Sequence, residues 1–304
     1  MRFSFELPTQ RSEAPEEFVT GGSVAELTTA AANAGFSAVN VSDHPAPDAR
    51  WLDVGGHHTV DPFVVLATAA AADARVGLLT NIYVPAYRNP FLGANLINSL
   101  DLMSGGRLTL GVAAGYLKPE FRALGADFDN RGVLLDDALA VLEALTSGED
   151  VAREGAAYSA RGVRMRPVAA RGRPPIWVGG NSKLAISRAA RFEGWAPFHT
   201  GGYAQASRTS AIESMDDLAA GIARVKDLVK RAERDADTFD ICWSESLVTD
   251  RDRSLDERCA QVDALRRIGV TWITVTIPGE TRRDLVDGAA DFGRDIISQF
   301  GAAS

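Results

Sequence analysis

Short runs of β-branched and aromatic residues alternate along this chain with longer stretches rich in alanine and leucine. Residues 2–7 alternate apolar (Phe3, Phe5, Leu7) with polar (Ser4, Glu6), a strand pattern. The stretch 23–34 follows as a helix, with Ser23 as cap, Glu26 three residues on as in a capping box, and Gly35 as its stop. The second unit is a strand over 38–42 and a helix over 61–73, where Asp61 caps and Pro62 occupies the first turn. Further units follow at 76–84 with 90–103, 107–113 with helical sequence through Leu145, and 176–179 with 182–192. The last three are 194–198 with 215–234, 240–244 with 255–268, and 272–277 with 282–299.

Eight strand-then-helix units imply a parallel sheet and fit a closed (β/α)8 TIM barrel spanning 1–304 as one α/β domain. A doubly wound sheet is the rival, but no G-x-G-x-x-G follows the first strand. Two segments interrupt the rhythm. Residues 149–167 alternate around Gly155 and Gly162 and read as a hairpin inserted before the fifth strand. Residues 199–214, after the sixth strand, are polar and without period, as lids and binding loops often are.

Composition narrows the function classes. With 46% hydrophobic and 24% charged residues in 304, the chain is neither disordered, nor fibrous, nor a disulfide scaffold. A net charge of −8 without a lysine- or arginine-rich block argues against a nucleic-acid surface. Cys242 and Cys259 have no partner at metal-ligand spacing and read as reduced thiols. No signal-like or membrane-spanning apolar run is present, so a cytoplasmic protein away from the membrane is expected.

In such a barrel, chemistry gathers where strands end. Asp43-His44 follow the second strand, and an imidazole beside a carboxylate there can hold a ligand ring or move a proton, although a loop-capping Asp and a packed His would look the same. His57-His58 follow Gly55-Gly56 in the same loop. With Asp43, Asp53 and His44 they could form a metal set, but no H-x-H or H-E-x-x-H spacing supports one. Thr80-Asn81 end the third strand, where polar side chains serve either a ligand or simple strand-end bonding. Gly111 to Tyr116 end the fourth with small residues that admit a flat ligand or tight packing. Val178-Gly179-Gly180-Asn181-Ser182 then join the fifth strand to a helix, a turn whose free amides suit a phosphate as well as a plain cap.

In this order, these segments resemble the luciferase-like monooxygenase superfamily, and more narrowly its branch of probable F420-dependent oxidoreductases. The residues that carry the resemblance are Val41-Ser42-Asp43-His44, Leu79-Thr80-Asn81-Ile82 with Tyr87-Arg88-Asn89-Pro90, and Leu102-Met103-Ser104-Gly105-Gly106-Arg107-Leu108. They continue through Gly111–Gly125, the hairpin, and Pro174-Pro175-Ile176-Trp177-Val178-Gly179-Gly180. The resemblance implies a flavin or deazaflavin ring across the C-terminal face of a TIM barrel. It places Asp43 and His44 at the ring, His44 assisting hydride or proton transfer with Asp43 positioning it, and implies a cis peptide at Asn81-Ile82 behind the ring. It assigns phosphate contacts to Gly179 and Gly180 and a backbone contact to Gly115, with Thr80, Tyr116, Val178 and Asn181 beside the cofactor.

Departures from the family's sugar-phosphate dehydrogenases are also visible. Tyr116 stands where they carry a glutamate, and Pro45-Ala46-Pro47-Asp48 stand where they carry a tryptophan, which argues against that activity. Around Glu193-Gly194-Trp195 the family's Gly-Asp-Gly-Trp stretch is shortened. The resemblance implies F420 with a small organic substrate, with FMN-dependent oxygenation the alternative and a non-catalytic cofactor-binding protein a further one. Trp51, His58 and His199 are candidate pocket residues, Lys118, Arg164 and Arg166 candidate cations for an anionic cofactor tail, and a homodimer the expected assembly.

Overall fold

The computed structural model describes residues 1–11, 13–156, 158–200 and 210–301. Eight parallel strands close into a barrel: β1 (Arg2–Glu6), β2 (Ala38–Val41), β3 (Gly77–Tyr83), β4 (Leu108–Val112), β7 (Ile176–Gly179), β8 (Gly194–Ala196), β9 (Asp240–Ser244) and β10 (Trp272–Val275), with β10 returning to β1. The two strands left out are the antiparallel hairpin β5 (Val151–Gly155) and β6 (Tyr158–Val163), inserted before β7. The (β/α)8 reading and the position of the hairpin therefore hold. The loop expected at 199–214 falls largely on 201–209, outside the described residues.

Several of the longer helices begin at a side-chain acceptor, whereas those at Pro15–Phe18, Ala49–Asp53, Lys118–Ala123 and Arg131–Thr146 begin without one. Asp61 accepts from the Phe63 and Val64 N–H groups at the head of α4 (Pro62–Ala72), and Asn89 does the same for α5 (Pro90–Met103). The first long helix differs from expectation. Helix α2 (Gly21–Asn33) starts earlier, because Thr20 accepts from Ser23 N–H while Ser23 donates its hydroxyl to Glu16 O. Short α1 (Pro15–Phe18) and α3 (Ala49–Asp53) have too few turns to leave a period. The helical sequence after β4 divides into α6 (Lys118–Ala123) and α7 (Arg131–Thr146), and the helix after β7, α8 (Lys183–Ala189), stops short of Phe192. Among the described residues the long helices that follow, Met215–Arg231, Leu255–Ile268 and Arg282–Phe292, are each opened by a Ser or Thr capping box.

Strand alternation divides the core in two. Phe3 and Phe5 of β1 turn outward, meeting Phe292 and Phe36 edge-on in the helix layer. Inside the barrel, Ala38, Leu79, Trp177, Ala196, Cys242 and Trp272 pack into a floor, the two indoles 5.2 Å apart. Below it, Arg2 lies over the Trp272 ring and pairs with Asp240. At the N-terminal end of β4, the Arg107 guanidinium donates to the carbonyls of Ala70, Asp73, Val76 and Ser104, tying the end of α4 and the connection to β3 to the connection between α5 and β4. That end is closed, so the opposite mouth is left for ligands. Among the described residues no helix is long and apolar enough to cross a membrane.

Candidate active site

The loop leaving β2 delivers His44 to the barrel mouth. It is pinned there by the His44 N–H, which donates to Thr59 Oγ1 at 2.8 Å. The imidazole is buried, and its Nδ1 lies 3.0 Å from Glu120 Oε2 on α6. Glu120 is fully buried (0% exposed) and its oxygens also accept from Ala46 N–H at 2.9 Å and the Tyr87 hydroxyl at 2.7 Å. Burial alone would raise this carboxyl, but the hydrogen bonds from His44, Ala46 and Tyr87 outweigh it and hold Glu120 below its ordinary value. Tyr87 moves the other way: burial and then the Glu120 charge push its hydroxyl up, so it stays a donor. An ionised carboxylate on Nδ1 keeps the ring proton there and leaves Nε2 to the mouth, where the Tyr116 hydroxyl stands 3.3 Å away.

An aromatic collar surrounds His44: Trp51 at 4.7 Å between centroids, His57 at 5.0 Å and Tyr116 at 5.7 Å. Burial, aided by the neighbouring His44 and opposed by Glu120, pushes His57 down to about 4, so it is neutral at pH 7. Its Nε2 lies 3.4 Å from Ser42 Oγ. His58 and His199 are both exposed, outside this collar. Among the described residues no group of three or more His, Cys, Asp or Glu is placed to hold a metal.

Asp43 does not do what its place beside His44 implies. Its carboxylate accepts from both arms of the Arg88 guanidinium, at 2.8 and 2.9 Å, and from Val84 N–H at 3.1 Å. The carboxylate against the His44 ring is thus Glu120, while the Asp43–Arg88 pair joins the loops that follow β2 and β3. Glu120, Tyr87 and Arg88 are not among the site residues to which the sequence points. Nothing in the sequence marks Glu120 beyond its place four residues after Tyr116, with α6 short enough to turn it inward.

The facing wall is built of small residues. The Asn81-Ile82 peptide is cis, the geometry the resemblance implied, and the β3–β4 register shifts between Thr80 and Tyr83. Thr80 is fully buried and donates its hydroxyl to Gly111 O at 2.8 Å, which is strand-to-strand bonding. A Cβ on Gly111 would meet Thr80 O at 2.1 Å, and one on Gly179 would meet Ile82 Cδ1 at 2.3 Å. Gly115 takes a positive φ of 82°, with Phe121 and Val84 against it. Val178 points into the outer core, so only its backbone borders the mouth.

The predicted phosphate turn is partly committed elsewhere. Gly180, with φ at 104°, donates its N–H to Ala196 O and accepts from the Trp195 indole. The Asn181 amide bonds to Phe198 and Ser210. Of the candidate cations, Lys118 pairs with Asp129. Arg164 pairs with Asp150 and Arg166 reaches Gly148 O. Gly148 and Asp150 follow the C-terminal end of α7, at the foot of the barrel, so both arginines lie away from the turn.

The luciferase-like monooxygenase family matches residues 1–271. An F420-dependent glucose-6-phosphate dehydrogenase of Beutenbergia cavernae is 38% identical over 138 residues, 44% of this chain and 40% of that protein. Two solved structures share the fold: a monooxygenase from Streptomyces bottropensis (TM-score 0.80, 20% identity, 99% of this chain and 100% of that one) and an F420-dependent secondary alcohol dehydrogenase with an F420–acetone adduct (TM-score 0.76, 15% identity, 97% and 98%).

Proposed function

The chain belongs to the luciferase-like monooxygenase family and is an oxidoreductase, and from that premise we propose that it transfers hydride between F420 and a small organic substrate at this mouth. The observation that carries the reading is His44, buried, with Nδ1 on Glu120 and Nε2 turned to Tyr116 across from the small-residue wall. That wall fits a planar ring: the cis junction and Ile82 would back it, Gly179 leaves Ile82 its room, and Ala113 narrows the side by a single methyl. The backbone of Gly115, Val178, Gly179 and Gly180, with Tyr116 and the turn at Asn181, would follow the cofactor's side chain. Thr80 serves it indirectly, by holding Gly111.

When bound, F420 supplies two-electron hydride chemistry; the chain supplies the rest. Imidazole Nε2 holds or accepts a proton at the substrate, with the buried Glu120 charge stabilising the imidazolium. Trp51 and Tyr116 shield that proton from water. A monooxygenase reading with FMN uses the same wall and is the alternative. Anaerobic oxidation of reduced F420 by small carbonyl and imine compounds, followed by the return of its fluorescence, tests the proposal. Turnover with F420 and its loss in His44→Asn support it; oxygen uptake with reduced FMN and none with F420 overturn it.

For the assembly, the reading includes a homodimer. Val64, Leu92 and Met103 are 67%, 65% and 78% exposed on the outer faces of neighbouring α4 and α5, an apolar surface that a second copy would cover.

A further inference from the structure

The two halves of the barrel mouth differ in chemistry. On β9, β10, β1 and β2 the outward residues (Ile241 and Trp243, Ile273 and Val275, Phe3 and Phe5, Val39 and Val41) belong to the outer core. Their alternates must therefore face inward. Above the tryptophan floor these are Ser244, Thr274, Thr276, Ser4, Glu6 and Asn40, every one polar. They are joined across strands: Ser244 Oγ to Thr274 Oγ1 at 2.6 Å, Asn40 Nδ2 to Ser4 Oγ at 2.9 Å, and the Thr276 hydroxyl to Glu6 Oε2. Across the mouth stand Ile82, Ala113, Gly179 and Ala196, with no polar side chain among them.

Glu6 closes β1 at the top of the polar arc and is only partly exposed. Among the described residues its carboxyl bonds to Thr276 and Gln10, both neutral, and forms no ion pair. Burial pushes it above its ordinary value, with the Thr276 hydrogen bond pulling the other way. A carboxyl kept at a ligand mouth without a cation has capacity left for a neutral oxygen, whether it donates or accepts. An anionic group would be stripped of water there with no counter-charge to receive it.

We infer that this arc is the substrate subsite, where Glu6 exchanges a hydrogen bond with a carbonyl or hydroxyl oxygen of a neutral molecule and carboxylates and phosphates are turned away. The inference rests on the reading that the cofactor ring takes the small-residue wall, which leaves the substrate the polar one.

The test is ligand-observed NMR on the full chain with cyclohexanone, cyclohexanol and cyclohexanecarboxylate as probes, in wild type, Glu6→Gln, Glu6→Ala and Thr276→Val. The neutral probes are expected to bind at least about tenfold more tightly than the carboxylate, and Glu6→Ala to weaken them about tenfold. Glu6→Gln, which keeps a donor and an acceptor, holds them within about threefold, and Thr276→Val loses about threefold. Equal binding of the carboxylate, absence of any neutral-probe binding, or unchanged binding in a folded Glu6→Ala overturns the inference. If Glu6→Ala does not fold, unchanged binding in Thr276→Val overturns it. An F420 titration of the same proteins separates the two levels: wild type that binds neutral probes through Glu6 but takes no F420 refutes the cofactor reading and leaves the subsite standing.

Discussion

His44 and Glu120 lie 76 positions apart and meet at 3.0 Å, and the chemistry of the site turns on that contact. Replacing Glu120 with Gln keeps the shape but removes the charge that an imidazolium needs, so kcat is expected to fall about 10- to 100-fold with KM within about threefold. A kcat that stays at the wild-type value would show that Glu120 serves the fold alone. His57 gives a stability test. Its folded value of about 4 lies below the ordinary 6.5, so between these the unfolded chain binds the extra proton. Stability from this residue is complete above pH 6.5 and drains away as the pH falls towards 4. In His57→Gln the melting temperature should fall less steeply over that window; an unchanged slope would place the acid sensitivity elsewhere. The Asp43-His44 pair was legible because both residues sit together at a strand end. Their partners were not, since Arg88 and Glu120 arrive from other loops and only the closed barrel brings them near.

Periodicity made the elements readable: eight strands and the principal helices lie where the apolar pattern puts them, with ends shifted by a few residues. What it could not show were one-turn elements such as α3, which carries Trp51 to His44, and the choice of Thr20 over Ser23 as cap, which depends on Glu16 standing ready to receive the Ser23 hydroxyl. In the sequence the glycine-rich strand ends suggest room for a flat ligand, and β7 makes that testable. A Cβ at Gly179 displaces only the tip of Ile82, so Gly179→Ala should melt within a few degrees of wild type. Because the displaced tip enters the ring wall, cofactor affinity should fall about tenfold, a loss of about 1.4 kcal/mol. Equal loss of affinity and fold, or no loss of either, would contradict that placement of the ring.

At the scale of the molecule, a chain of net charge −8 has to gather local positive charge if it binds an anionic cofactor. Arg164 and Arg166 do not provide it, being spent at the foot of the barrel. Lys183, exposed on the first turn of α8 just past the glycine pair, is better placed. The apolar outer faces of α4 and α5 bear on assembly: Met103→Asp should turn a dimer into a monomer by light scattering, whereas a wild-type monomer would refute the interface. Whether this mouth holds F420 is decided by a fluorescence titration of the purified chain with F420 beside one with FMN. Saturable F420 binding in the micromolar range or tighter, at least about tenfold stronger than FMN, is the predicted result. FMN bound as tightly as F420, or F420 not bound at all, would contradict it.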